Sequence, residues 1–192
     1  KRKMKYKELL KQYVDFPQKG VVFQDINPLL ADKDALKSIA DDLTIQLKRM
    51  LPDCTKILAI EARGFMLGSI LADRLNVGLV PIRKKGKLPP YASIREMSYS
   101  LEYGTNTLAI DMSLLNKDDK ILIFDDLLAT GGTIEALIRL LQDEVKNGQL
   151  LPLSEKNMAI MFLLELEALN GKKHIIDCSP LNENAIFSLI KL

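Results

Sequence analysis

The 192-residue sequence predicts an α/β fold, a central and mostly parallel sheet flanked by helices. Three observations carry that expectation. Short apolar runs such as KILAI (56–60) and ILIF (121–124) are of the fully buried strand type. Segments with apolar residues at helical spacing lie between those runs. Strands alternating with helices argue for parallel pairing through crossover connections, and the chain length suits one domain with a substantial core.

The elements follow in order. Residues 35–51 carry apolar Leu36, Ile39, Ala40, Leu43, Leu47 and Met50, an amphipathic helix with Asp32 or Asp34 available as its cap. KILAI then reads as a short buried strand. GFMLGSILADRLN (64–76) reads as a helix with Gly78 just beyond its end, and LVPIR (79–83) as the next strand. From Lys84 to Ser98 the pattern fails, which predicts a long loop of the kind that is functional or mobile. Tyr99–Leu101 and Thr107–Asp111 read as two short strands around a YGTN turn. Ile121–Phe124 is a buried strand, and 133–145 a helix with apolar Ile134, Leu137, Ile138, Leu141 and Val145. NMAIMFLLE (157–165) and AIFSLI (185–190) supply later strands. The polar stretch 145–157 reads as a surface insertion between helix and strand.

Composition narrows the class. Hydrophobic residues make up 47% and charged residues 27%, as in globular proteins. No apolar run approaches the roughly 20 residues that span a bilayer, so no membrane partner is expected. The basic start, KRKMKYKELLKQY, is not followed by an apolar segment and is not read as a secretory signal. Position 1 is Lys, so a trimmed start is expected. Cys54 and Cys178 have no metal-ligand neighbourhood and read as reduced thiols of a cytoplasmic protein. A net charge of +2 makes no case for nucleic acid; the positive charge is local, at the N-terminus and in RKKGK (83–87).

The segment ILIFDDLLATGGT (121–133) concentrates the chemistry. A buried strand runs into two adjacent carboxylates, Asp125 and Asp126, and then into Ala129, Thr130, Gly131, Gly132 and Thr133 at a helix start. Small residues let backbone amides turn inward, the helix N-terminus adds partial positive charge, and the threonine hydroxyls can donate; together they suit a phosphate monoester. Neighbouring strand residues point to opposite faces, so the two acids should not both be buried unless the strand is ending. Placed before a phosphate cradle, they suit the vicinal hydroxyls of a sugar. No GxxxxGK[ST] occurs, which disfavours a nucleotide kinase.

This segment resembles the phosphoribosyl-pyrophosphate signature of the type I phosphoribosyltransferases, and its DDLLATGGT form resembles the adenine-specific branch of that family. DFPQKGVVFQDINPLL, IEARGFMLGSILADRL, PIRKKGKLP and SLEYG occur in the family's order, so the resemblance covers roughly 13–141. It implies the type I fold, with a small N-terminal hood at 1–34 that recognises the base and a core at 35–192. It implies transfer of the 5-phosphoribosyl group to adenine, giving AMP and pyrophosphate, with Mg²⁺ held mainly through substrate near Asp125 and Asp126. It also implies a homodimer.

By the same resemblance, Asp125 and Asp126 hold the ribose hydroxyls and residues 129–133 the 5′-phosphate. EARG supplies the pyrophosphate loop, Glu61, Ala62, Arg63 and Gly64. Arg83 and Lys87 open the catalytic loop and contact pyrophosphate, and Glu102 takes part in proton transfer with the purine. Val22, Phe23, Gln24, Tyr103 and Leu127 surround adenine. Two departures stand out: Gln24 replaces an expected Arg or Lys, and the loop from Lys87 to Glu102 is about two residues longer than the family's. A hypoxanthine or guanine transferase is the alternative within this chemistry, and a non-catalytic sensor of phosphoribosyl pyrophosphate or AMP the alternative outside it. His174, the only histidine, lies outside every motif and reads as a surface or structural residue.

Overall fold

The computed structural model describes residues 6–101 and 104–192. They fall into two compact units, one up to Leu43 and one from Thr44 to Leu192. The first opens with a short 3₁₀ turn and the antiparallel pair β1 (Lys11–Val14) and β2 (Val22–Asp25), in register Tyr13 to Phe23. Between the strands, Asp15 turns the chain at φ 58°, and its carboxylate accepts the Gly20 N–H at 2.7 Å. The Phe16 ring meets Phe23 edge-on at 5.2 Å. All four β1 residues are exposed, so no apolar alternation marks this strand in the sequence.

Helix α1 (Asn27–Ala31) carries Pro28 in its first turn, where a fixed φ and a missing N–H are tolerated. Helix α2 (Lys33–Met50) buries the apolar stripe Ile39, Ala40, Leu43 and Leu47. Asp32 is its cap: one carboxylate oxygen accepts the N–H of Asp34 at 3.0 Å and of Ala35 at 2.8 Å. Asp34 lies in the first turn instead, where its charge complements the helix dipole.

The second unit is built on one seven-stranded sheet. Its strands are β3 (Lys56–Ile60), β4 (Gly78–Lys84), β5 (Ile94–Leu101), β6 (Gly104–Asp111), β7 (Ile121–Leu128), β8 (Met158–Glu165) and β9 (Ile186–Lys191), in spatial order β5-β6-β4-β3-β7-β8-β9. β4, β3, β7, β8 and β9 run parallel, while the β5–β6 pair is antiparallel and joins at β4. The expected mostly parallel α/β sheet is therefore present. Strand β8 is buried along all eight residues, which is why its sequence shows no alternation. Helices α3 (Arg63–Leu75), α4 (Gly132–Lys146) and α5 (Gly171–Cys178) complete this unit. Among the described residues no helix is long and apolar enough to cross a membrane.

Four local expectations are corrected. The irregular stretch expected over 84–98 is shorter, because β5 begins at Ile94. Its pattern was obscured by Arg95, a polar residue at an inward position whose Nε lies 3.1 Å from the buried Glu144 carboxylate. Helix α3 ends on Asn76, in the left-handed conformation at φ 54°, and Gly78 opens β4 instead of closing the helix. Strand β7 runs four residues past Phe124. The insertion 145–157 is not wholly superficial: Leu150 and Leu153 are buried in the core.

Candidate active site

Strand β7 positions the two acids. Its pairing with β3 ends at Ala59 opposite Phe124, whereas its pairing with β8 continues through Leu128 opposite Glu165. Asp125 and Asp126 thus stand where the strand has lost its neighbour on one side only. The strand does not end at the acids, as their adjacency had suggested; half of the sheet does. Period-two alternation still holds, with Asp126 buried at 5% exposure and Asp125 partly exposed.

The start of α3 enters this opening. Arg63 Nη2 lies 2.6 Å from Asp126 Oδ2. Gly64 sits so close that a Cβ there would stand 3.0 Å from the Phe124 carbonyl oxygen and 3.2 Å from Asp125 Oδ1. Asp125 Oδ1 accepts the N–H of Asp126 at 2.8 Å. Burial pushes the Asp125 carboxyl well above the usual carboxylate range, and the charge of Asp126 adds to the rise. Burial also raises Asp126, against the opposing pull of Arg63.

Past β7 the chain turns through Ala129 and Thr130 into α4. Gly131 takes φ +88°, a conformation that a side chain would strain. No side chain caps this helix, so amides of its first turn, around Gly132 and Thr133, are left for an outside acceptor. An uncapped N-terminus beside a small-residue turn is an anion site by its dipole and its donors.

A second loop follows β3. The Glu61–Ala62 peptide is cis, and Ala62 precedes the first turn of α3. The Glu61 carboxylate accepts the Lys84 N–H at 2.8 Å and Arg83 Nε at 2.9 Å. The Lys84 amide, with Arg83 adding to it, holds that carboxyl below the usual range. The Arg83 guanidinium also lies 5.9 Å from the centre of the Phe65 ring. Glu61, Arg83, Arg63 and Asp126 are thereby gathered at adjoining strand ends. Lys87 is exposed on the turn beyond β4.

The base segment lies in the first unit. Val22 is exposed, Phe23 half-buried and Gln24 buried, with Gln24 Oε1 accepting from Gln12 Nε2 at 3.1 Å. Leu127, on β7 opposite Leu164 of β8, is partly buried. Glu102 and Tyr103 lie outside the described residues. Helix α5, which packs behind the 129–132 turn, went unread because its eight residues bury only Gly171 and Ile175, too few for a recognisable period.

Two acids at a half-ended strand, a glycine turn on an uncapped helix, and a second loop carrying an arginine stand at the strand ends of a type I phosphoribosyltransferase fold. The family model described as the phosphoribosyl transferase domain matches residues 30–145. The adenine phosphoribosyltransferase of Brachyspira hyodysenteriae is 43% identical over 172 residues, covering 90% of this chain and 94% of its own. That of Thermosipho africanus is 42% identical over 174 residues, covering 91% and 95%. The Giardia lamblia enzyme, solved with 9-deazaadenine, superposes with a TM-score of 0.82 at 33% identity, covering 97% of this chain and 96% of that one. The chain belongs to the adenine phosphoribosyltransferase family.

Proposed function

We propose that this chain transfers the 5-phosphoribosyl group from phosphoribosyl pyrophosphate to adenine, forming AMP and pyrophosphate. One observation carries the reading: Asp125 and Asp126 adjoin an uncapped helix N-terminus on one side and the Arg63 guanidinium on the other. That juxtaposition suits a ribose phosphorylated at one end and bearing a diphosphate at the other. Relatives of the family point to the base, since the Saccharomyces cerevisiae enzyme, 30% identical, was solved with adenine.

In this reading the amides and hydroxyls of 129–133 hold the 5′-phosphate, and Asp125 and Asp126 accept from the ribose hydroxyls. Arg63, Arg83 and Lys87, with the 61–64 backbone, take charge from the departing diphosphate as its bond to ribose breaks. Glu102 receives the proton that adenine loses on attack. Val22, Phe23 and Gln24 are the residues proposed to recognise the base. Two carboxylates fit Mg²⁺ only in part: among the described residues no group of three or more His, Cys, Asp or Glu could hold a metal. The donor set therefore suits a hard cation completed by substrate oxygens. Bound there, Mg²⁺ would add positive charge against the diphosphate. The hood at 1–34, a homodimeric assembly and a cytoplasmic setting, the last favoured by two free cysteines, belong to the same proposal.

Incubation with phosphoribosyl pyrophosphate, Mg²⁺ and each of adenine, hypoxanthine, guanine and uracil tests it. Nucleotide is expected from adenine alone, and Glu102→Gln is expected to lower kcat by about 10²-fold, the loss typical of a general acid–base group. Nucleotide from hypoxanthine or guanine would refute the base assignment. Tight binding of the ribosyl donor with no product from any base would make the protein a sensor.

A further inference from the structure

One helix outside the assigned residues is built against the phosphate turn. A Cβ on Gly171, at the start of α5, would stand 2.2 Å from the Ala129 carbonyl oxygen. A Cβ on Gly131 would stand 3.0 Å from the Gly171 carbonyl oxygen and 3.3 Å from His174 Cδ2. The back of the turn therefore rests directly on α5, with no side-chain layer between. Higher up, His174 Nε2 lies 2.6 Å from Glu135 Oε2, while Arg139 pairs with the other oxygen of Glu135. Glu135 is the one acid in the first turn of α4, the turn whose amides face the proposed phosphate.

We propose that α5 is a brace for the 5′-phosphate cradle, with Gly171 and His174 as positioning residues. The inference rests on reading 129–133 as the phosphate site. Gly171 fixes the height of the turn by backbone contact. His174, together with Arg139, fixes the Glu135 carboxylate at the α5 side, so that a negative charge in the first turn does not swing toward a bound dianion. Gly171 acts on the cradle through backbone contact, and His174 acts on it through Glu135. No motif links residues 131, 135, 171 and 174, which are joined only by the fold.

Initial-rate kinetics on the full chain tests the brace, with His174→Ala, His174→Gln and Thr133→Ala compared with wild type. His174→Ala is expected to raise KM for phosphoribosyl pyrophosphate about 5- to 10-fold, a little under one full charge-assisted hydrogen bond because His174 acts indirectly and is partly exposed. The KM for adenine and kcat should stay put, Tm should move by less than about 3 °C, and His174→Gln, which keeps a donor near Glu135, should recover most of the loss. An unchanged donor KM in His174→Ala overturns the brace. So does a parallel rise of both KM values with a fall in Tm, because that marks general loosening. Thr133→Ala separates the two readings: if it raises the donor KM and His174→Ala does not, only the brace fails. If Thr133→Ala leaves the donor KM unmoved, the cradle assignment itself fails.

Discussion

Replacing Asp125 by Asn is expected to lower nucleotide formation by two to three orders of magnitude, roughly the loss seen when a charged transition-state contact is removed. The same change should make the ligand-free protein more stable. Asp125 and Asp126 are adjacent, and burial raises both carboxyls above the usual range. An acid whose folded pKa is raised binds more protons in the folded chain than in the unfolded one, between the ordinary carboxylate value and the raised value. Stability from this site is therefore full below the ordinary carboxylate pKa and declines as pH rises through the window to the raised folded pKa. The amide cannot ionise, keeps the oxygen that accepts the Asp126 N–H, and escapes this decline. Relief of one poorly solvated charge of about 1–2 kcal/mol corresponds to a Tm gain of roughly 2–8 °C in a chain of this size. Thermal melts of wild type and Asp125→Asn from pH 4.5 to 8 give the difference directly. A gain that grows with pH supports the argument; a variant less stable than wild type at neutral pH refutes it.

That opposition between stability and turnover also explains what could be read from the chain. DDLLATGGT announces itself because two acids after a buried strand break the local rule that carboxylates avoid cores, and only a ligand makes sense of them. EARG and RKKGK were legible by order and resemblance, yet the tie from Glu61 to Arg83 is a product of β3 and β4 ending side by side. The reach of β7 to Leu128 was not legible, since Asp125 and Asp126 interrupt the apolar run while the pairing with β8 continues beneath them. Strand β5 was half hidden for a related reason: Arg95 occupies an inward position that only the buried Glu144 makes acceptable. Helix α5 and the β1–β2 hairpin lack periodicity because they bury little of their own surface. Local pattern exposes elements that form the core; elements that serve the core from outside become visible only in three dimensions.

Arg83→Lys is expected to reduce kcat about 10²-fold although the charge is kept. The guanidinium meets Glu61 through Nε at 2.9 Å and carries two further donor nitrogens in the same plane, a fork that a single ammonium cannot reproduce. In the proposed reaction lysine can either hold Glu61 or reach the leaving group, so charge would arrive at the diphosphate without a fixed direction, and preorganisation would be lost. Since the proposed adenine contacts do not include this residue, the adenine KM should hold within about twofold, inside the ordinary scatter of a surface change. Glu61→Gln provides the control on the tether. It preserves an oxygen for the Lys84 N–H but removes the charge that orients Arg83, and a fall of about tenfold is expected, near one charged hydrogen bond. The pH profile then separates the carboxylates. Glu61 is held below the usual range by the Lys84 amide and Arg83, so its tether is intact above the ordinary carboxylate value and fails only as pH falls through the lowered pKa. Asp125 and Asp126 are raised and gain protons first on acidification. The acid limb of kcat/KM for the ribosyl donor, which reports the free enzyme, should therefore follow the aspartates and keep its midpoint in Glu61→Gln. A midpoint displaced by that substitution would assign the acid limb to Glu61 and remove the aspartates from control of donor binding.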